Sequence, residues 1–153
     1  MERREIENLF EAYAEDVFRL ALSYLHNRHD AEDVCQTVFL KLMNYKQPLQ
    51  PGKEKAWLLT CTANACKDYL KSFFRKHTVS LEETMVFPDE EDKQIWEAVA
   101  GLAPKYRAVV HLYYYEGYSQ EEIAEILQMS RTAVQTRMSR ARKQLKEVLR
   151  EYA

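Results

Sequence analysis

The sequence predicts an all-α fold in which two small helical domains are joined by an acidic linker, the C-terminal one being a helix-turn-helix domain. Three observations carry this. Only three glycines and four prolines occur in 153 residues, so few positions oppose helix formation. Apolar residues recur at spacings of three and four along most of the chain, the period of a helix with one buried face. Between the two periodic blocks, Glu82 to Asp92 holds six acids (Glu82, Glu83, Asp89, Glu90, Glu91, Asp92) and no base, the composition of a solvated tether. The expected division is a domain over 1–77, a linker over 78–92 and a second domain over 93–153.

From Arg4 to His26 the positions Ile6, Leu9, Phe10, Tyr13, Val17, Leu20, Ala21 and Tyr24 form one apolar stripe, and Asn27 and Arg28 interrupt it. Asp30 and Asp33 have the spacing of a capping box and open a second helix, with Ala31, Val34, Cys35, Val38 and Leu42 inward. Asp33, Gln36 and Leu40 point the other way. A leucine beside polar anchors fits a protein-binding patch, and it fits a lone surface leucine equally well.

Pro48, Pro51 and Gly52 make Tyr45 to Glu54 a loop. A third helix, Lys55 to Phe74, places Leu58, Cys61, Thr62, Ala65, Tyr69 and Ser72 on one side. Thr60, Asn64, Lys67 and Lys71 lie opposite, and Arg75 continues that row. With Trp57 at its start and Phe73 and Phe74 at its end, the polar and basic stripe suits a nucleic-acid backbone with aromatics on unstacked bases. Taken alone, it suits a solvated face over core aromatics as well.

The second domain opens near Lys93 with a helix containing Ile95, Trp96 and Val99, ending at Gly101. Pro104 starts the next helix, whose Val109, Val110, Leu112 and Tyr113 are expected beneath the motif that follows; Tyr113, Tyr114 and Tyr115 read as core and rim rather than as a stacking platform. Ser119 and Glu122 then form a capping box, so a short helix starts at Gln120 with Ile123, Ala124, Ile126 and Leu127 inside. Gln128 and Met129 make the turn, and Ser130 caps a second helix from Arg131. At about 100° per residue this helix divides in two. Val134, Met138, Ala141, Leu145 and Val148 face inward, while Thr132, Thr136, Ser139 and Lys143 face outward, flanked by Gln135 and Arg140. These are groups that read base edges in a major groove. From Arg131 to Ala153, seven basic residues stand against two acidic ones, a local net of +5 that suits phosphate.

The rest of the composition excludes other classes. Cys35, Cys61 and Cys66 form no CxxC, and His26, His29, His77 and His111 lack ligand spacing, so neither metal nor cofactor is expected. No phosphate-binding glycine loop and no nucleophile with a placed base suggest an enzyme. No apolar run of about 18 residues suggests membrane insertion, and the charged start MERREIENLF is unlike a signal peptide, which leads to a cytoplasmic protein. A net charge of only −2 is low for a protein that must hold DNA alone and hints at a larger partner.

Two segments resemble one family. AEDVCQTVFLKL (Ala31 to Leu42) with AWLLTCTANACKDYLKS (Ala56 to Ser72), and the run from Leu102 to Leu145, are similar in content and order to bacterial RNA polymerase sigma factors of the extracytoplasmic function group. The resemblance implies that the helix holding Asp33, Gln36 and Leu40 binds core RNA polymerase. It implies that the Tyr45 to Glu54 loop, with Trp57, Asn64, Lys67, Lys71 and Arg75, takes the minus-ten element of promoter DNA. It also implies that Arg131, Thr132, Gln135, Thr136, Ser139, Arg140, Arg142 and Lys143 meet the minus-thirty-five element, and that an anti-sigma factor is a further partner. TCTANA (Thr60 to Ala65) is less apolar than is usual in the family, and the loop carries two prolines. The alternative is a stand-alone helix-turn-helix transcriptional regulator, which would need a ligand pocket or alternating strands and helices in residues 1 to 75. An adaptor that binds polymerase without reading DNA would lack Gln135, Thr136 and Arg140.

Overall fold

The computed structural model describes residues 2–76 and 90–150, with the side chains of 73–76, 90–92, 94, 95 and 148–150 left aside. The described residues contain helices and no strand, and the chain divides into two compact units, Met1–Glu83 and Thr84–Ala153. The expected linker lies outside the described residues up to position 89.

In the first unit, α1 (Arg3–Leu25), α2 (Arg28–Asn44) and α3 (Glu54–Lys76) pack pairwise against one another. His26 ends α1 in the left-handed conformation, φ 52°, and its N–H bonds back to the Leu22 carbonyl. Val17, Leu20, Ala21 and Tyr24 of α1 meet Val34, Val38 and Leu42 of α2 and Leu58, Leu59 and Cys66 of α3 in the buried interior. Each large aliphatic side chain so buried contributes about 1.5–3 kcal/mol. The Thr62 hydroxyl, also buried, donates to the Leu58 carbonyl at 2.7 Å, so its polarity is satisfied inside the core.

Two expectations are corrected here. The cap of α2 is Asn27, whose side chain accepts the Asp30 amide at 3.0 Å; Asp30 and Asp33 already lie within the helix. The buried face of α3 includes Leu59, Ala63 and Cys66, whereas Ser72 is exposed and Cys61 only half-buried. Because α3 packs on both α1 and α2, it buries a wider arc than a single stripe.

In the second unit, α4 (Glu90–Ala100), α5 (Pro104–Val110) and α6 (Gln120–Leu127) each pack on α7 (Arg131–Arg150), or, for α6, also on a π-helical turn, His111–Tyr115, that continues α5. Helix α4 starts at Glu90, earlier than expected, so the backbone of Glu90, Glu91 and Asp92 belongs to it. Leu102, Tyr106, Val110 and Ala141 make one cluster with Leu145 against it. Arg107, 7% exposed, donates to the Leu102 carbonyl at 2.6 Å and the Ala100 carbonyl at 3.4 Å, fastening the end of α4. Burial pushes its pKa down to about 10, which leaves it charged at neutral pH. The π-helical turn closes with the Glu116 N–H on the His111 carbonyl at 3.1 Å, and Gly117 at φ 73° turns the chain towards α6.

Candidate nucleic-acid interface

Both helix starts in the C-terminal motif are fixed by side chains. The Ser119 hydroxyl accepts the Glu122 amide at 3.1 Å, and the Glu122 carboxylate accepts the Ser119 amide at 3.1 Å. Gln128 adopts φ 54°, its neighbour Met129 bonds to the Ala124 carbonyl at 3.0 Å, and the Ser130 hydroxyl accepts the Ala133 amide at 3.0 Å. Ile123, Ile126 and Leu127 of α6 are buried with Val134, Met138 and Ala141 of α7, so the angle between the two helices is set by packing as well as by the turn.

The opposite side of α7 is open. Thr132, Gln135, Thr136, Ser139, Arg140 and Lys143 are all exposed, as the sequence places them. Thr136 donates its hydroxyl to the Thr132 carbonyl at 3.0 Å, which orders the side chain and leaves lone pairs for a base or phosphate donor. Val148 lies in α7, with its side chain outside the described residues.

Two arginines of α7, Arg131 and Arg142, are engaged by other elements, which sequence periodicity does not reveal. Arg131 forms an ion pair with Glu121 of α6 at 3.0 Å. Arg142 donates through Nε to the Tyr114 hydroxyl at 2.9 Å, and its guanidinium lies 5.8 Å from the centre of the Tyr113 ring. Tyr114 and Tyr115 are 56% and 77% exposed, placing them at the rim of the unit.

In the first unit, Asp33, Gln36 and Leu40 are exposed along one side of α2, with Leu40 56% exposed. Leu40 also lines a groove of about 470 Å³ with Thr37, Lys41, Asn44, Tyr45, Trp57 and Cys61. The Tyr45 and Trp57 rings, both lining it, have centroids 4.9 Å apart. Thus Leu40 and Trp57, expected in separate patches, border one groove; the sequence signal for this is absent because they belong to different helices. Asn64 and Lys71 are exposed on α3, Lys67 and Thr60 half-buried, and Arg75 sits in the last turn with its side chain outside the described residues, as are those of Phe73 and Phe74. Cys35, Cys61 and Cys66 are free thiols; burial raises the pKa of each, so none is primed as a nucleophile. Among the described residues no group of three or more His, Cys, Asp or Glu is placed to hold a metal ion, and no helix is long and apolar enough to cross a membrane.

The Sigma-70 region 2 family matches residues 9–75 and the Sigma-70 region 4 family residues 92–145. The ECF RNA polymerase sigma factor SigE of Mycolicibacterium smegmatis is 32% identical over 160 residues, covering 96% of this chain and 62% of its own length. RNA polymerase sigma factor CarQ of Myxococcus xanthus is 31% identical over 157 residues, covering 95% of this chain and 89% of its own. Among solved structures, the sigma factor RpoE of Bartonella quintana, determined in complex with the anti-sigma factor NepR, superposes with a TM-score of 0.77 at 21% identity, covering 96% of this chain and 98% of that one; it shares the fold.

A region 2 helical unit followed by a region 4 helix-turn-helix unit defines a promoter-recognising transcription initiation factor. The chain belongs to the RNA polymerase sigma factors, within the extracytoplasmic function group.

Proposed function

We propose that this chain binds core RNA polymerase through the α2 face of Asp33, Gln36 and Leu40 and addresses it to promoters by two separate DNA contacts. Residues 1–77 hold the polymerase contact and the minus-ten contact, the latter through the 45–54 loop with Trp57, Asn64, Lys67, Lys71 and Arg75. Residues 93–153 hold the minus-thirty-five contact, through the exposed side of α7. The acidic stretch over 78–92 joins them, and the second contact gains from the effective concentration that the first creates. The observation that carries this is the doubly capped helix-turn-helix, whose second helix exposes Thr132, Gln135, Thr136, Ser139, Arg140 and Lys143 on one side.

The protein performs no bond chemistry in this reading; nucleotidyl transfer belongs to the polymerase. It acts in the cytoplasm, where polymerase and promoters are. An anti-sigma factor is a further partner, a reading supported by the partner present in the RpoE structure. Run-off transcription of genomic DNA with purified core polymerase tests the function. New discrete transcripts that require the protein are expected. Specific DNA binding without polymerase, combined with no new transcripts, would instead identify a stand-alone regulator.

A further inference from the structure

Arg142 lies two turns beyond Gln135 on the same flank of α7, yet its side chain is gripped from outside the motif. Nε donates to the Tyr114 hydroxyl at 2.9 Å, and the Tyr113 ring lies 5.8 Å from the guanidinium carbon. The two tyrosine rings brace each other edge to face at 4.9 Å and 81°. Both belong to the π-helical turn, which is packed into the unit by the buried Leu112. A guanidinium held through Nε directs its Nη1–Nη2 edge, a two-pronged donor matched to phosphate oxygens, away from the hydroxyl that holds it.

We propose that Tyr114 is a positioning residue for DNA binding: it orders Arg142 as a preformed phosphate clamp on the rim of the recognition surface. This rests on the reading of α7 as the DNA-facing helix. An unrestrained arginine loses several rotatable bonds of freedom when it meets a phosphate, and one already held loses less. Tyr114 is 56% exposed, so the pair contributes little to the buried core and acts at the surface. The clamp is indifferent to base identity, because phosphate contacts set register and orientation without reading sequence.

The test is fluorescence anisotropy of the full chain on short duplexes of pooled sequence over a series of salt concentrations. Arg142→Ala is expected to weaken binding and to reduce the slope of log K against log salt by about 0.9. Tyr114→Phe is expected to weaken it about three- to tenfold, the effect of one hydrogen bond. The double variant should lose less than the product of the two fold-changes, because the tyrosine acts through the arginine. Tyr115→Phe, altered at the more exposed neighbour, serves as the control and should bind as the unaltered chain does. If Tyr114→Phe binds like the unaltered chain while Arg142→Ala is weakened, or if the two losses multiply in full, the positioning role is overturned and the DNA-facing reading of α7 stands. If Arg142→Ala binds unchanged, Arg142 is no phosphate contact and the clamp is overturned with it.

Discussion

The hydroxyl of Tyr69, late in α3, donates to the Asp30 carboxylate in the first turn of α2 at 2.5 Å, joining residues 39 apart in sequence. Desolvation first, then the bond to Asp30 and the charges of Asp30 and Asp33, push the Tyr69 pKa upward from its ordinary value of 10.0. Tyr69→Phe is expected to lower the stability of the first unit by about 1 kcal/mol, measured by urea unfolding.

The same contact has a pH signature. A raised pKa means that the folded chain holds a proton the unfolded chain releases, so the contribution is complete below about pH 10 and is lost as pH rises beyond it. The stability gap between the unaltered chain and Tyr69→Phe should therefore narrow above about pH 10. A gap that widened there would show that the hydroxyl is not held in its neutral form.

Asp33, Gln36 and Leu40 are exposed on α2 and make no part of the buried core. Replacing all three with alanine should leave the helical circular dichroism and the unfolding midpoint close to those of the unaltered chain while weakening retention by immobilised core polymerase. Unchanged retention would remove this face from the polymerase contact.

Gln135 and Arg142 are expected to fail in different ways. Gln135→Ala should cost about 1–3 kcal/mol at one base position and relax preference there, whereas Arg142→Ala should weaken all sequences alike and flatten the salt dependence. Binding of holoenzyme to a promoter library separates the two patterns. A uniform loss for both would show that Gln135 reads no base.

Ser130 separates folding from binding in a single position. Its hydroxyl caps α7 through the Ala133 amide, so Ser130→Ala should cost about 1 kcal/mol of stability in the second unit. Ser130→Asp keeps an acceptor and complements the helix dipole, so thermal unfolding should be close to that of the unaltered chain. The added negative charge stands at the start of the DNA-facing helix, and DNA affinity at low salt should fall all the same.

Much of the second unit was legible in the sequence because its signals are local. Ser119 with Glu122, and Ser130 ahead of Arg131, announce helix starts within three residues of themselves, and the split between Met138 and Thr136 follows from helical period alone. Long-range chemistry was not legible. Asp30 looked like a cap, but its carboxylate is taken by Tyr69 and its amide is served by Asn27. The wide buried arc of α3 depends on two partners at once, so no stripe in its own sequence could show that Leu59 and Cys66 are buried. The groove shared by Leu40 and Trp57, and the grip of Tyr114 on Arg142, join residues whose separation carries no pattern.

The π-helical turn at His111–Tyr115 holds one more residue than an α-helical path would use. That makes it a place where the reading frame of the helix tolerates a deletion. Removing a single codon from an ordinary buried helix rotates everything beyond it by about 100° and scrambles the core. Removal of one here lets the turn relax into regular i→i−4 bonding, with Leu112 inside and the exit at Gly117 kept. With one residue removed the fold is expected to survive while Tyr113 and Tyr114 swing away from Arg142, so a single-residue deletion here should alter the grip on DNA without disturbing the architecture.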